Sequence, residues 1–100
     1  MDTSLHDIFI TAIEGGINYW ASVTSLDRID DEDIDWHALI SVHDSGDLRV
    51  IDKDTIRKGI KALAKSQHLH HLDDLVEDNM DATTADVIVQ MALFGDIRYG

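Results

Sequence analysis

The stretch 36-WHALISVHDSGDLRVID-52 decides the fold class of this chain. Two runs rich in Val and Ile flank a polar connection that contains Gly46, which is typical of a β-hairpin. Alternation assigns one face of the first strand to Trp36, Ala38, Ile40 and Val42, and the other face to His37, Leu39, Ser41 and His43. A two-stranded hairpin is only marginally stable in water, so it has to pack on helices or gain a strand. The C-terminal DIRYG, residues 96–100, is the segment that could supply such a third strand.

The segment that follows the hairpin, residues 52–67, has a helical pattern with an aspartate N-cap at Asp52 or Asp54. Its apolar positions face the predicted core, and a basic row lies opposite: Ile56, Ile60 and Leu63 against Arg57, Lys61 and Lys65. Such a row is typical of a solvated helix face. The alternatives are contact with an anionic partner and pairing with an acidic stretch of this or another copy.

The last segment, DATTADVIVQMALFG, predicts the most buried helix. Thr83 with Asp86 fits a capping signature, and Gly95 fits the residue that ends a helix. Apolar residues surround almost the whole circumference between them, which is typical of a central helix. Gln90 then lies in an apolar environment and has to find hydrogen-bond partners.

The first segment predicts a helix from Leu5 to Trp20, with an apolar stripe and a capping signature at Ser4 and Asp7. Its interruption is Gly15-Gly16. Glycine inside a helix costs about 1 kcal/mol relative to alanine, so the pair needs a physical reason. The reasons are a kink, a close helix–helix crossing, or a ligand that touches the backbone.

Residues 68–80, HLHHLDDLVEDNM, predict a shorter helix. His70 and His71 each stand about one turn from Asp74, a spacing that suits a divalent metal, but two ligands on one turn make a weak site. No metal or other cofactor is therefore assigned. Together the segments predict an α+β fold in a single domain, residues 1–100, with about four helices, a small antiparallel β-hairpin sheet and a central C-terminal helix.

Charge is the strongest compositional feature, because 20 acids against eight Lys and Arg give a net charge of −12. Phosphate attraction dominates nucleic-acid affinity, so direct nucleic-acid binding is disfavoured and cationic proteins are the expected partners. The absence of cysteine excludes disulfides and thiolate chemistry. No apolar run reaches the ~20 residues of a membrane span, and the N-terminus lacks a secretory pattern, so the expected location is cytoplasmic.

The acids concentrate in 27-DRIDDEDIDWH-37, where six carboxylates accompany a single arginine. Nothing in this stretch is periodic, which predicts a loop. Its carboxylates are the predicted partner-binding residues: Asp30, Asp31, Glu32, Asp33 and Asp35.

Two blocks, TAIEGGINYWASV at 11–23 and TADVIVQMALFGDIRYG at 84–100, resemble a group of small phage and prophage proteins, mainly actinobacterial. The pattern of that group is E-G-G-x-x-Y-W-A near the start and A-D-x-I-V-Q-x-A-L-F-G-x-I-x-Y-G at the end. The resemblance covers about a third of the chain and implies a genomic setting and a shared framework, without an activity. The framework positions are Glu14, Gly15, Gly16, Tyr19, Trp20, Asp86, Gln90, Phe94, Gly95 and Tyr99. A small pocket lined by Glu14, Gly15, Gly16, Trp20 and Gln90 is the alternative to a purely structural role.

Catalysis is not predicted. The chain has no nucleophile elbow, no Gly-rich phosphate loop and no H-E-x-x-H. Glu14 and Asp86 are the only carboxylates in apolar sequence surroundings, and they would meet if the first and last helices cross at the glycines, but nothing else indicates a substrate.

The predicted function is that of a small acidic interaction protein, which binds and inhibits a cationic nucleic-acid-binding host protein such as a CRISPR or restriction component. One alternative is a self-associating structural or regulatory module, for example a homodimer. The other is a small-ligand or metal binder that uses the Gly15-Gly16 region or the turn His68–Asp74.

Overall fold

Residues 5–27, 36–66 and 81–99, which the computed structural model describes, form three α-helices and a three-stranded antiparallel sheet. The helices are α1 (Leu5–Thr11), α2 (Lys53–Ala64) and α3 (Ala82–Phe94), and the strands are β1 (Ala21–Asp27), β2 (His37–Val42) and β3 (Leu48–Asp52). The predicted α+β class is confirmed. The predicted helix at 68–80 lies outside the described residues.

The sheet has the order β1-β2-β3, and its third strand is β1, so the prediction that residues 96–100 supply that strand is wrong. Ala21 pairs with Val42 and Asp27 with His37, while His37 also pairs with Asp52 on the other side. Residues 96–99 are not a strand, because two of their backbone N–H groups bond to a side chain of α3 instead.

The hairpin between β2 and β3 agrees with the sequence pattern. Gly46 has a positive φ of 73°, and its N–H donates to the carbonyl oxygen of Val42 at 2.7 Å. A positive φ favours glycine because a Cβ would collide with the backbone. The predicted inward residues are all buried: Trp36, Ala38, Ile40 and Val42.

Helix α3 is buried at every residue from Thr84 to Ala92, as expected for a central helix. Helix α2 lies across it at Gly59, where the two backbones approach each other directly. A Cβ placed on Gly59 would lie 2.8 Å from Cγ2 of Ile88 and closer still to the Ile88 carbonyl oxygen. The contact therefore requires glycine at this position.

Aspartate side chains cap both long helices. Asp52 accepts from the N–H of Thr55 at 2.9 Å, and Asp81 accepts from the N–H of Thr84 at 3.0 Å. The prediction that Thr83 and Asp86 form the N-terminal cap of the last helix is wrong, because the helix begins earlier and Asp86 lies inside it. Gly95, with φ of 77°, ends this helix as predicted.

The first helix ends earlier than predicted. After α1 the chain continues as a π-helical segment, Ala12–Gly16, in which the N–H of Ile17 donates to the carbonyl oxygen of Ala12 at 3.1 Å. A π-turn widens the helix and is frequent at functional sites. The chain then leaves the helix and reaches β1 at Ala21, so the predicted continuation to Trp20 is wrong. The predicted cap at Ser4 lies outside the described residues.

The two glycines of this segment have different environments. A Cβ on Gly16 would lie 2.8 Å from the carbonyl oxygen of Ala82, so Gly16 permits a close crossing with the start of α3. A Cβ on Gly15 would have nothing within 4 Å. Close packing therefore explains Gly16 but not Gly15.

No helix within the described ranges is long and apolar enough to cross a membrane.

Candidate functional site

A buried carboxylate, Asp86, is the centre of the candidate site. The residue is 6% exposed, and its Oδ1 accepts from Trp20 Nε1 at 2.7 Å and from Gln90 Nε2 at 2.9 Å. Its Oδ2 accepts from the hydroxyl of Tyr19 at 2.5 Å. Burying a carboxylate is costly unless its oxygens are hydrogen-bonded, and here three neutral donors supply those bonds. Within the described part of the chain no cationic side chain contacts it.

Gln90, which is fully buried, joins this carboxylate to the end of the chain. Its Oε1 accepts from the N–H groups of Arg98 and Tyr99, both at 2.7 Å, and its Nε2 also donates to the carbonyl oxygen of Tyr99 at 2.9 Å. The prediction that a buried Gln90 finds hydrogen-bond partners is confirmed. We refer to Tyr19, Trp20, Asp86, Gln90 and the Tyr99 backbone as the Asp86 cluster.

Aromatic rings cover the Asp86 cluster on one side. The rings of Trp20 and Tyr99 stack with centroids 5.3 Å apart and an interplanar angle of 8°, and the ring of Phe94 meets both edge-on. The guanidinium of Arg98 lies 4.3 Å from the centroid of Phe94. Trp20, Asp86 and Gln90 are buried, so the hydrogen bonds that join them are electrostatically stronger than they would be at the surface.

A cavity of about 490 Å³ lies against the Asp86 cluster, between the π-helical segment, the start of α3 and the last residues of the chain. Its lining consists of Gly15, Gly16, Tyr19, Ala82, Thr83, Asp86, Val87, Ile97 and Tyr99. Its volume falls in the range of small-molecule sites, about 300–1,000 Å³. We refer to it as the Gly15 cavity.

The structure separates the residues of the predicted pocket. Gly15 and Gly16 line the Gly15 cavity, whereas Trp20 and Gln90 bond to Asp86 as members of the adjoining cluster. Glu14 is exposed, so its predicted apolar environment is wrong and it does not share one with Asp86. The reason is the π-helical turn, which leaves Glu14 facing solvent while Gly16 contacts α3.

Only the resemblance indicated Tyr19 and Tyr99, and the structure shows what they contact. They are 80 positions apart, and the Tyr19 hydroxyl lies 3.1 Å from the Tyr99 carbonyl oxygen. Two signals pointed to this region: a glutamine in an otherwise apolar helix, and an aspartate one turn before it.

The other predicted sites lie outside the described residues. They are the acidic positions Asp30, Asp31, Glu32, Asp33 and Asp35, and the turn His68–Asp74. Among the residues that the structure describes, no group of three or more His, Asp or Glu side chains is arranged to hold a metal ion.

A second cavity, of about 680 Å³, lies between β2, β3 and the start of α2. Both charge signs border it, with Lys53 and Arg57 beside Asp52 and Asp54. The buried indole nitrogen of Trp36, which also borders it, has no hydrogen-bond partner among the described residues. Mixed charges at the rim do not select a ligand class, so the Gly15 cavity is the better defined site.

Comparison of the chain with protein-family models, with curated proteins and with solved structures found no match.

The Tyr19 hydroxyl reports on the state of the cluster. The Tyr19 side chain is half-exposed, but partial desolvation of its hydroxyl, together with the hydrogen bond to Asp86 and the negative charge of that carboxylate, raises the pKa of Tyr19 from 10.0 to about 12. The folded state thus holds this proton more tightly than the unfolded state. The resulting stabilisation is complete below pH ~10 and is lost as the pH rises towards ~12.

We expect the Tyr99→Phe variant to titrate a single tyrosine, Tyr19, with a pKa about two units above the ordinary value near 10. Absorbance at 295 nm as a function of pH measures it. Adding Asp86→Asn in the same background should bring the pKa down towards 10, because the charge and the strong acceptor are both removed. A pKa that is unchanged by Asp86→Asn would contradict the arrangement.

Proposed function

We propose that this chain is a non-catalytic interaction protein of phage type, which binds a cationic nucleic-acid-binding host protein, such as a CRISPR or restriction component, and inhibits it. The observation that carries this proposal is the excess of negative charge. The chain has a net charge of −12, and between described residues a single ion pair forms, Arg57 to Asp54 at 3.3 Å. That pair is exposed and stabilises little. Internal ion pairs do not change the net charge, so the excess of 12 acids over Lys and Arg acts on the surroundings of the protein.

The attachment of the acidic stretch supports the same proposal. Residues 28–35 join β1 to β2, and the backbone register places Asp27 beside His37 and His37 beside Asp52. The stretch is thus tethered at the end of the sheet where Asp52 and Asp54 begin α2. Lys53 and Arg57 balance the charges of Asp52 and Asp54 there, so the negative field that would steer a cationic partner and exclude its nucleic acid comes from the carboxylates of the connection.

Two matched double variants test the proposal. Asp31→Asn with Asp33→Asn changes the acidic stretch, and Asp44→Asn with Asp47→Asn changes two exposed acids in the connection between β2 and β3. Both pairs change the net charge by the same amount. Tagged protein captures the partner from a bacterial lysate, a salt gradient elutes it, and mass spectrometry identifies it.

We expect the captured partner to be a nucleic-acid-binding protein that elutes at high salt. The Asp31/Asp33 variant should lower the association rate on the order of 10-fold at low salt, while the Asp44/Asp47 variant should leave it within about twofold. If both variants lower the association rate equally, the acidic stretch acts only through its contribution to the net charge and is not a specific binding surface. Capture of no such protein from any host lysate would contradict the proposal.

The alternative of self-association is favoured by one feature, the exposed basic row formed by Arg57 and Lys61 of α2 and by Lys65, which caps that helix. This row would pair with the acidic stretch of a second copy. Sedimentation at low and high salt separates the two functions. A dimer that dissociates in salt, and that Lys61→Glu with Lys65→Glu abolishes, would replace the host-protein proposal; a monomer throughout would exclude the alternative.

A further inference from the structure

We propose that the Gly15 cavity is a binding site for a cationic group, an alkylammonium or a guanidinium, held between the rings of Tyr19 and Tyr99 and the carboxylate of Asp86. This site is distinct from the acidic stretch and does not depend on the proposed function. The cationic group belongs either to a free small molecule or to a Lys or Arg side chain of a protein.

The first reason is the unbalanced charge of Asp86. Three neutral donors contact its two oxygens, and no cationic side chain of the described residues does. An ionised carboxylate has about four lone-pair sites, so one further donor is accommodated. A cation in the adjoining cavity would supply that donor together with the missing positive charge.

The second reason is the chemistry of the walls. Tyr19 and Tyr99 both line the cavity, and the faces of aromatic rings attract cations. Ala82, Val87 and Ile97 supply an apolar surface for the alkyl part of the ligand. An aromatic and apolar lining with one buried carboxylate favours a cation carried on a short aliphatic chain over an anion or a neutral molecule.

The third reason is Gly15. It lines the cavity, no atom lies within 4 Å of the position of its absent Cβ, and its φ is not positive. Neither packing nor backbone conformation therefore requires glycine there. Glycine in a helix interior costs about 1 kcal/mol relative to alanine, and the π-helical turn is a further departure from regular geometry. The missing side chain of Gly15 and the π-helical turn both leave space at the wall of the cavity, and a ligand would occupy that space.

The test uses four probes that each carry a short aliphatic chain: n-butylammonium, n-butylguanidinium, n-butanol and butyrate. Amide chemical shifts of the ¹⁵N-labelled full chain at Gly15, Gly16 and Tyr99 report binding. We expect saturable shifts with n-butylammonium and n-butylguanidinium at a Kd on the order of 1 mM, a value suited to ligands of so few atoms. Binding of n-butanol and butyrate should be at least about 10-fold weaker.

Two variants and a control locate the site. Gly15→Leu adds a large side chain to a residue that lines the cavity and should abolish the shifts at Gly16 and Tyr99, while the protein remains folded because the added Cβ meets no atom within 4 Å. Asp86→Asn should weaken n-butylammonium at least about 10-fold and leave n-butanol unchanged. The matched control, Asp54→Asn, removes the same charge at an exposed residue of the second cavity, whose lining shares no residue with the Gly15 cavity, and should leave binding within about twofold.

Either of two results would overturn the proposal: butanol or butyrate binding as tightly as butylammonium, or Gly15→Leu leaving the shifts intact. If the Asp86 cluster is purely structural, no probe gives a saturable response, and that result would also overturn the proposal.

Two further ligands identify the source of the cation: the polyamine putrescine and a short Gly-Lys-Gly peptide with blocked ends. Tighter binding of putrescine indicates a free amine, and tighter binding of the peptide, lost on acetylation of its lysine, indicates a protein side chain.

Discussion

Gly59→Ala is expected to lower the free energy of unfolding by at least about 3 kcal/mol, although alanine is the better helix former by about 1 kcal/mol. The added methyl group would overlap the Ile88 carbonyl oxygen and lie 2.8 Å from Ile88 Cγ2. A backbone atom cannot move aside as a flexible side chain does. The two helices have to separate, and their separation opens the core around both.

Urea unfolding of three single variants measures this effect against internal controls. Gly15→Ala meets nothing within 4 Å and should be neutral or stabilising by up to about 1 kcal/mol. Gly16→Ala meets the Ala82 carbonyl oxygen at 2.8 Å and should fall between the other two. If Gly59→Ala were as stable as Gly15→Ala, the described crossing of α2 and α3 would be wrong.

The hairpin and the two long helices were predictable because their signals are local. Apolar residues that recur every two positions, or every three to four, indicate which face of a strand or helix is buried. Asp52 marks the start of α2 and Gly95 the end of α3, and both signals depend only on residues nearby in the sequence. Strand β1 was missed for the opposite reason. This strand, with the sequence ASVTSLD, lies at one edge of the sheet. Its polar residues obscure the alternation of apolar and polar positions that identifies a strand.

The contacts that define the candidate site are long-range and therefore were not readable from periodicity. Trp20 and Asp86 are 66 positions apart, and Tyr19 and Asp86 are 67 apart. The role of Gly59 had a local signal, since it lies on the apolar face of its helix between Ile56 and Leu63, but only the distance to Ile88 shows how close the helices are.

Negative charge serves two separate purposes in this chain. Most carboxylates of the described residues are at the surface, where solvent and salt screen them and where they act through a long-range field. Asp86 differs from them, since its charge is buried among neutral donors and acts over a few ångströms. The two populations predict different salt dependence. The affinity of a partner that binds through the acidic surface should fall steeply with salt. The hydrogen bonds of the Asp86 cluster should be nearly insensitive to salt.

The second large effect concerns Gln90→Glu. This substitution changes the side-chain volume little and replaces the donating amide nitrogen with an accepting oxygen. The amide nitrogen donates to Asp86 Oδ1 and to the Tyr99 carbonyl oxygen, both at 2.9 Å. An ionised carboxylate in place of that amide would put a second negative charge against Asp86 with no donor between them. The folded protein therefore has to keep the new carboxyl group protonated, so its pKa rises above the ordinary value near 4.3.

Holding that proton at pH 7, about 2.7 units above the ordinary pKa, costs about 3.7 kcal/mol, and the missing second donor adds about 1 kcal/mol. Because the folded-state pKa is raised, the charge-dependent penalty is largest at neutral pH and disappears as the pH falls to about 4. The measurement is the difference in urea stability between Gln90→Glu and the unmodified protein at each pH. Gln90→Met loses the donated bonds and also those that Oε1 accepts from Arg98 and Tyr99, but it gains no charge, so its penalty should not change with pH. A penalty for Gln90→Glu that is equally independent of pH would mean that solvent reaches this position, and the Asp86 cluster would not be the dry, charge-sensitive centre on which the cation site depends.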